Sequence, residues 1–199
     1  MLKKKILILN YGAGNYQSIK NALSKFNCLV EIGNEVNQLK KSEIIILPGV
    51  GTFPSAVNFL KKKNIYNHLI KLAHKGKKIL GICLGMQLLA KNSNELINTN
   101  GLNLVSGSIK GNINNHHIGW NKILITKKSI FKSLNNKYFY FQHSYNLENN
   151  FSKDFGLTFD SKKIKAFIVE KNIVGVQFHP EKSQSNGDDF FKIYLDKYL

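Results

Sequence analysis

The feature that most constrains the fold is an alternation of short apolar runs with loops and helix-patterned segments in the first 91 residues. After the runs come loops, several of them containing glycine, and then apolar residues spaced three and four apart. This alternation is typical of a parallel sheet whose strands are joined by right-handed crossover helices. The runs predicted as strands are 5–10, 28–32, 43–47 and 78–82.

The run Glu43–Leu47 is continuously apolar after its first residue, as expected of a strand covered by helices on both faces. The segments predicted as helices are 19–26, 34–40 (a short helix or a turn), 54–62, 65–75, 84–90 and 186–199. The last of them is amphipathic and closes the chain.

The character of the chain changes after residue 91. Residues 92–103 are polar and are interpreted as a loop. Short strand-like runs then follow one another, which predicts an antiparallel or mixed portion beside the parallel sheet. These runs are 104–109, 122–126, 138–145, 156–159, 166–169 and 173–178. No repeat or low-complexity linker interrupts the sequence, so residues 1–199 are expected to form one α/β domain.

The net charge of +17 does not indicate a nucleic-acid partner. Every basic residue is lysine, and the lysines are scattered without interleaved aromatic residues, which favours a solvated basic surface. No apolar run approaches the roughly 18 residues of a membrane span, and the first residues lead straight into a strand, so a cytoplasmic protein is predicted. The two cysteines, Cys28 and Cys83, are too few for a disulfide framework.

Cys28 is expected to be a small buried hydrophobic residue, whereas Cys83 stands between a predicted strand and a predicted helix. Gly81 and Gly85 flank it at the spacing of a nucleophile elbow, where small neighbours permit a strained turn. A helix N-terminus stabilises a thiolate, and the N–H of Leu84 would point at an oxyanion. The same pattern also fits a tightly packed turn without chemistry, so this segment alone leaves both interpretations open.

A cysteine nucleophile needs a base, and His179 is the best candidate among the six histidines. It follows the last predicted strand, and Glu181 two residues later can hold its imidazole. The alternative for this pair is a capping turn with a solvated glutamate. A metal bound by a pair among His116, His117 and His143 is conceivable, but no Cys, Asp or Glu completes such a site, and no metal is predicted.

Two glycine-containing loops follow predicted strands. Pro48–Thr52 offers backbone N–H groups that are free to face a ligand. Tyr11–Asn15 lacks the full spacing of a dinucleotide-binding fingerprint, so no nucleotide cofactor is expected there.

The segments Gly81–Gln87 and Phe178–Glu181 resemble the class I glutamine amidotransferases, and Pro48–Gly51 matches the loop that this family uses beside the oxyanion. The resemblance implies a flavodoxin-like α/β fold, with a mostly parallel central sheet flanked by helices and an antiparallel or mixed portion in the C-terminal half. It also implies hydrolysis of L-glutamine to glutamate and ammonia through a cysteine thioester, without a cofactor. The implied residues are Cys83, His179 and Glu181 for catalysis, the backbone of Leu84, Val50 and Gly51 for the oxyanion, and Gln87 and Gly49 for substrate binding.

Within the family, Tyr11–Asn15, His117–Asn121, Tyr138–Tyr145 and His179–Ser183 resemble the glutaminase subunits of imidazole glycerol phosphate synthases. This likeness implies a heterodimer with a cyclase of the (β/α)8 barrel type, in L-histidine biosynthesis. The alternatives are a paralogue that supplies ammonia to a synthase amidating a surface-polysaccharide sugar, and a non-catalytic scaffold subunit. The candidates for partner-facing residues are Tyr11, Asn15, Trp120 and Tyr138, although Trp120 and Tyr138 would equally suit a buried core.

Overall fold

The computed structural model describes residues 3–12, 14–111, 116–125, 128–148, 154–158 and 164–199. The strands within these ranges are β1 (Lys4–Leu9), β2 (Cys28–Gly33), β3 (Ile44–Leu47), β4 (Lys78–Ile82), β5 (Asn92–Ser93), β6 (Thr99–Asn100), β7 (Ser108–Gly111), β8 (His117–Leu124), β9 (Tyr138–His143), β10 (Tyr145–Glu148), β11 (Asp154–Thr158), β12 (Lys165–Glu170) and β13 (Ile173–Val176). The helices are α1 (Tyr16–Leu23), α2 (Val36–Lys41), α3 (Phe53–Lys62), α4 (Tyr66–His74), α5 (Leu84–Leu88) and α6 (Gln184–Tyr198). The predicted strand ends at 126 and 159 lie outside the described residues.

Within the described ranges, nine strands form one sheet in the order β2-β1-β3-β4-β13-β12-β11-β8-β9. The first five run parallel to one another. The other four add antiparallel pairs on the side of β13. The predicted α/β fold, with a parallel sheet and an antiparallel or mixed portion in the C-terminal half, is confirmed. The parallel part also includes β13, which comes from the C-terminal half and was predicted to belong to the antiparallel or mixed portion.

The parallel strands are buried on both faces, which explains their continuous apolar sequences. In β3, Ile45 and Leu47 belong to the core beneath α3 and α4, whereas Ile44 and Ile46 belong to the core beneath α1 and α6. All four side chains are at most 1% exposed. Burying each of them contributes about 1.5–3 kcal/mol to folding, so this strand holds the two cores together.

A second sheet within the described residues has the order β10-β7-β5-β6 and corrects two expectations. The segment 92–103, interpreted as a loop, contributes the short strands β5 and β6. The segment 104–109 was predicted as a strand, but β7 begins only at Ser108. The reason is local, because the N–H groups of Leu104 and Val105 both donate to the carbonyl of Leu89 and close the end of α5 instead of pairing in a sheet.

Two details of the main sheet position the functional groups. β4 and β13 are adjacent parallel strands, with Ile82 opposite Val176, so the residues that follow each strand emerge side by side. β8 begins at His117, earlier than the predicted start at residue 122, and pairs with β9. In the described part of the chain, no helix combines the length and apolar character needed to cross a bilayer.

Candidate active site

Cys83 occupies a strained turn between β4 and α5. Its φ of 51° and ψ of −108° lie in a region that residues other than glycine seldom adopt. The turn is fixed on both sides, because the Cys83 N–H donates to Val176 O at 2.7 Å and its carbonyl accepts from the Gln87 N–H at 3.1 Å. The backbone therefore has the geometry of a nucleophile elbow rather than of a relaxed loop.

Three glycines make this turn possible because backbone groups approach them too closely for a side chain. A Cβ on Gly81 would collide with the carbonyl of Gly85, and a Cβ on Gly85 would collide with the carbonyl of Leu47. A Cβ on Gly49 would strike the Leu84 nitrogen. The loop after β3 is thus packed directly against the first N–H of α5.

His179 and Glu181 form a buried pair just beyond the end of β13. The two side chains are each 2% exposed, and His179 Nδ1 donates to Glu181 Oε1 at 2.8 Å. The backbone of His179 is held by its own N–H, which donates to Tyr140 O at 2.8 Å, and by Ser183 Oγ, which donates to its carbonyl at 2.6 Å. The sequence prediction that the glutamate holds the imidazole matches this contact.

The charge state of His179 is set by its neighbours. Burial alone would lower the pKa of this imidazole, but the interactions with Cys83 and Glu181 outweigh burial and raise the pKa to about 9. Within the described residues, Nε2 of His179 has no hydrogen-bond partner of normal geometry. At neutral pH the ring therefore favours the imidazolium form, with one nitrogen committed to Glu181 and the other available for proton transfer.

A cavity of about 220 Å³ opens beside Cys83. It contains all the residues predicted for the oxyanion and the substrate. It also contains residues that the sequence did not assign to the active site, from the segment just after β5 and from the end of β9 to the start of β10. The lining residues are Gly49, Val50, Gly51, Cys83, Leu84, Gln87, Glu95, Gln142, His143, Ser144 and Tyr145.

Gln87 lies one helical turn from Cys83, as predicted, and is 5% exposed. Its Nε2 donates to Tyr145 O at 2.9 Å and to Gln177 Oε1 at 3.4 Å. Gln177 is fully buried at the end of β13, and its own Nε2 donates to the Cys83 sulfur at 3.6 Å.

Glu95 supplies a carboxylate to the cavity wall. Its Oε2 accepts from the Phe53 N–H at 2.8 Å, at the start of α3. Burial raises the pKa of Glu95, and the hydrogen bond from Phe53 partly offsets that effect. Nothing in the sequence around Glu95 signals this role, because the residue lies in a polar segment that was interpreted as a loop.

His117 and His143 form a directional hydrogen-bond chain on the inner face of β8 and β9. His143 Nδ1 donates to Tyr145 O at 2.9 Å, so Nε2 of the neutral ring must accept from His117 Nδ1 at 2.9 Å. His117 Nε2 in turn lies 3.2 Å from Asn121 Nδ2. Burial, followed by the neighbouring His117, lowers the pKa of His143 to about 3. Among the described residues, no cluster of three or more His, Cys, Asp or Glu side chains could hold a metal ion.

The outer face of the same two strands is apolar and exposed. Ile118, Trp120 and Tyr138 are 63%, 46% and 48% exposed. Trp120 packs edge-on against Tyr140 at 6.0 Å between ring centroids. Asn15 is half-buried, and its side chain accepts from the Ser18 N–H to cap α1.

Tyr11 corrects the set of candidates for partner-facing residues. Its side chain is 2% exposed, and its hydroxyl donates to the carbonyl of Pro48. Burial, together with the nearby Tyr16 and Cys83, raises the pKa of the Tyr11 hydroxyl. The side chain therefore braces the loop after β3 from inside instead of presenting itself at the surface.

Comparison with known proteins agrees with this geometry. The sequence model of the family Glutamine amidotransferase class-I matches residues 7–193. A protein of Blochmanniella floridana named imidazole glycerol phosphate synthase subunit HisH is 40% identical over 198 residues, covering 96% of this chain and 99% of that protein. The protein of the same name from Oceanobacillus iheyensis is 41% identical over 200 residues, covering 95% and 97%.

Two solved structures from Thermotoga maritima share the fold at low sequence identity. PurLQS gives a TM-score of 0.79 at 19% identity and covers 100% of both chains. A glutamine amidotransferase from the same organism gives a TM-score of 0.69 at 16% identity and covers 99% of this chain and 84% of that one. The family match and the relatives at about 40% identity show that the chain belongs to the class-I glutamine amidotransferase family.

Proposed function

We propose that this chain is the glutaminase subunit, of the HisH type, of an imidazole glycerol phosphate synthase in L-histidine biosynthesis. The observation that carries the proposal is the strained Cys83, which shares a small cavity with Gln87 and lies beside the buried His179–Glu181 pair. Relatives named HisH that cover nearly the whole chain support the choice of pathway. Residues 1–199 act in this proposal as one domain.

The first half of the reaction uses His179 as an acid. The Cys83 thiolate attacks the side-chain amide carbon of glutamine, and the carbonyl π electrons move onto the oxygen. His179 is raised to a pKa of about 9 and so carries a proton at neutral pH, which it gives to the departing nitrogen. The C–N bond breaks, ammonia leaves, and a γ-glutamyl thioester remains on Cys83.

The second half reverses the role of the imidazole. Now neutral, His179 takes a proton from water as the water oxygen attacks the thioester carbon. When the intermediate collapses, the C–S bond breaks, the Cys83 thiolate leaves, and glutamic acid is released and loses its proton to water, while His179 remains as the imidazolium. Glu181 keeps the ring in one orientation throughout, because Nδ1 stays bonded to its carboxylate at 2.8 Å.

The backbone supplies the oxyanion donors. The N–H of Leu84 is the first in α5 and directly follows the nucleophile. The loop Gly49–Gly51 borders the same cavity and is packed against that nitrogen, so an N–H of Val50 or Gly51 provides the second donor. One such donor typically contributes a factor of about 10²–10³ to the rate.

The polar end of the substrate meets Gln87 and Glu95, which lie on the cavity wall with Gly49. The Glu95 carboxylate complements the α-ammonium group of an amino acid, and Gln87 Oε1, whose amide nitrogen already donates to Tyr145 O and Gln177 Oε1, can accept from the same ammonium group. The small volume of the cavity, about 220 Å³, suits a single free amino acid.

The ammonia is passed to a partner protein of the HisF type, a (β/α)8 cyclase. Ammonia loses its nucleophilicity when it is protonated in bulk water, so direct transfer favours a heterodimer. The exposed Ile118, Trp120 and Tyr138 provide an apolar surface for that cyclase, because aromatic residues commonly anchor protein interfaces. Asn15 at the start of α1 is a further candidate for this contact.

The proposal is tested with Cys83→Ala in the complex with the cognate cyclase. We expect no glutamine-dependent product, normal partner binding, and normal product formation when ammonium salt replaces glutamine. Cys28→Ala is the matched control, because Cys28 lies away from the cavity with its thiol bonded to Leu23 O, and this variant should retain activity.

Glutamine hydrolysis by Cys83→Ala at the rate of the unsubstituted complex would rule out the thioester mechanism. Co-purification with a sugar-adenylating synthase, without any response to the cyclase and its phosphoribosyl substrate, would move the chain to the sugar-amidating alternative. A complex in which a glutamine-analogue electrophile fails to label Cys83 would indicate a scaffold subunit.

A further inference from the structure

We propose that Gln177 is a further catalytic residue, whose side-chain N–H donates to the Cys83 sulfur and holds it facing the amide carbon of the substrate. The proposal rests on the thioester chemistry proposed for Cys83. It is carried by the contact between Gln177 Nε2 and Cys83 Sγ, at 3.6 Å in the fully buried interior beside the cavity.

The orientation of the Gln177 amide follows from its surroundings. Gln87 Nε2 lies 2.9 Å from the Tyr145 carbonyl, which can only accept, so the Gln87 amide must present its nitrogen at that point. The same nitrogen lies 3.4 Å from the Gln177 amide, which must therefore offer its oxygen. The remaining Gln177 atom, Nε2, is then forced to face the sulfur.

The chain that fixes this orientation begins on β8. His117 donates to His143, and His143 donates to the same Tyr145 carbonyl that accepts from Gln87. The Tyr145 carbonyl thus accepts from two donors, His143 and Gln87, and these two hydrogen bonds fix the position of its oxygen. Four side chains and one peptide group connect Asn121 to the Cys83 sulfur through consecutive hydrogen bonds, which gives the Gln177 amide little freedom to rotate.

Besides Gln177, the polar neighbours of the sulfur include the His179 imidazole and the Gln142 carbonyl, and that carbonyl stabilises the protonated form of the sulfur. The Cys83 thiol can donate to the Gln142 carbonyl at 3.6 Å, and this contact is available only while the sulfur carries its proton. Once the proton is lost, the carbonyl dipole repels the negative sulfur. An N–H from Gln177 bonds more strongly to a negatively charged sulfur than to a thiol, so it stabilises the attacking thiolate.

The test compares Gln177→Met with the protein that keeps Gln177, both in a Cys28→Ala background where only Cys83 can be alkylated. Methionine keeps the length of the glutamine side chain and removes the donor. Alkylation by iodoacetamide should be roughly 10- to 100-fold slower, because hydrogen bonds to charged groups are among the stronger ones. In the complex with the cyclase, kcat for glutamine hydrolysis should fall by a similar factor, with KM within about twofold. Gln17→Met, on the exposed face of α1, is the matched control and should change neither rate.

Normal alkylation of Gln177→Met would overturn the proposal, even if the variant were less stable, because a purely structural role lowers stability without slowing the attack of the thiolate. The alkylation comparison does not depend on glutamine. A complex that fails to hydrolyse glutamine would therefore count against the proposed function and leave the inference on Gln177 to be judged separately.

If the Gln177→Met variant does not fold, a measurement on the protein that keeps Gln177 provides a second test. In protein labelled with ¹⁵N at glutamine side chains, the Gln177 amide signals are assigned through their contacts to Val176 and Phe178. Alkylation of Cys83 should shift these signals, whereas those of Gln17 should stay in place. Unchanged Gln177 signals would overturn the proposal.

Discussion

Replacing His143 with asparagine should make the protein less sensitive to acid, although it destabilises the protein at neutral pH. His143 is 7% exposed and hydrogen-bonded at both ring nitrogens, and burial together with His117 lowers its pKa to about 3. In the unfolded chain the ring has its ordinary pKa of about 6.5. As the pH falls below 6.5, the unfolded state binds a proton that the folded state does not bind. The part of the free energy of unfolding that neutral His143 contributes above pH 6.5 is therefore lost as the pH falls towards 3.

The size of this effect follows from the two pKa values. Between pH 7 and pH 5, one group with a pKa of about 3 when folded and about 6.5 when unfolded removes ~2 kcal/mol from the free energy of unfolding. Asparagine keeps a donor for the Tyr145 carbonyl but removes the ring nitrogen of His143 that accepts from the His117 N–H. At pH 7 the variant should therefore be about 1–3 kcal/mol less stable.

The assay is urea unfolding of both proteins at several pH values from 7 to 5, followed by circular dichroism. The stability difference between the unsubstituted protein and His143→Asn should shrink by ~2 kcal/mol over this range. Titrating groups that do not interact with His143 are present in both proteins and cancel in the difference, whereas His117 and His179 interact with His143 directly. Two stability curves that run parallel would refute a neutral, buried His143.

Two further predictions concern the neighbouring backbone and base. Gly49→Ala should lower glutamine hydrolysis by the complex about 100-fold or more while partner binding persists, because the new Cβ would collide with Ile82 O and Leu84 N; full activity would contradict the predicted oxyanion site. His179 has its pKa raised to about 9, so its stabilising effect is complete below pH 6.5 and is lost as the pH rises through 9. The stability advantage of the unsubstituted protein over His179→Asn should fall by ~2 kcal/mol between pH 7 and pH 9 in urea unfolding, and a constant difference would exclude the raised pKa.

Signals that are local in sequence predicted the framework of the site. The apolar run before Cys83 and the glycines on either side of it specify a buried strand and a sharp turn within a few residues. His179 and Glu181 are two residues apart, so their contact needs no knowledge of the tertiary fold. The parallel strands β1 to β4 were predictable for the same reason, whereas the parallel pairing of β13 with β4 was not.

Contacts between distant segments could not be predicted in this way. Gln177 meets Cys83 across 94 residues of sequence, and Glu95 reaches the cavity from a polar segment without a recognisable period. The orientation of the Tyr11 side chain also depends on the tertiary fold, because its hydroxyl donates to the carbonyl of Pro48 in the interior.

The early start of β8 has a related cause. The segment His117–Asn121 contains Gly119 and Asn121, which have low strand propensity, so the sequence predicted a start only at residue 122. Pairing with β9 overrides that propensity and places His117 opposite His143. The residues of this segment that face inward and outward can therefore be assigned only once its partner strand is known.

The position of β13 beside β4 has a consequence for how the protein matures during synthesis. While the ribosome is still producing the middle of the chain, one edge of β4 has no neighbour, and the Cys83 N–H lacks its acceptor on Val176. The strained turn at Cys83 and the base His179 take their positions together, when the polypeptide has emerged beyond His179 and β13 has paired with β4. A nascent chain that has not yet reached His179 therefore lacks both the strained turn and the base, and the reactive centre forms only when this late strand has paired with β4.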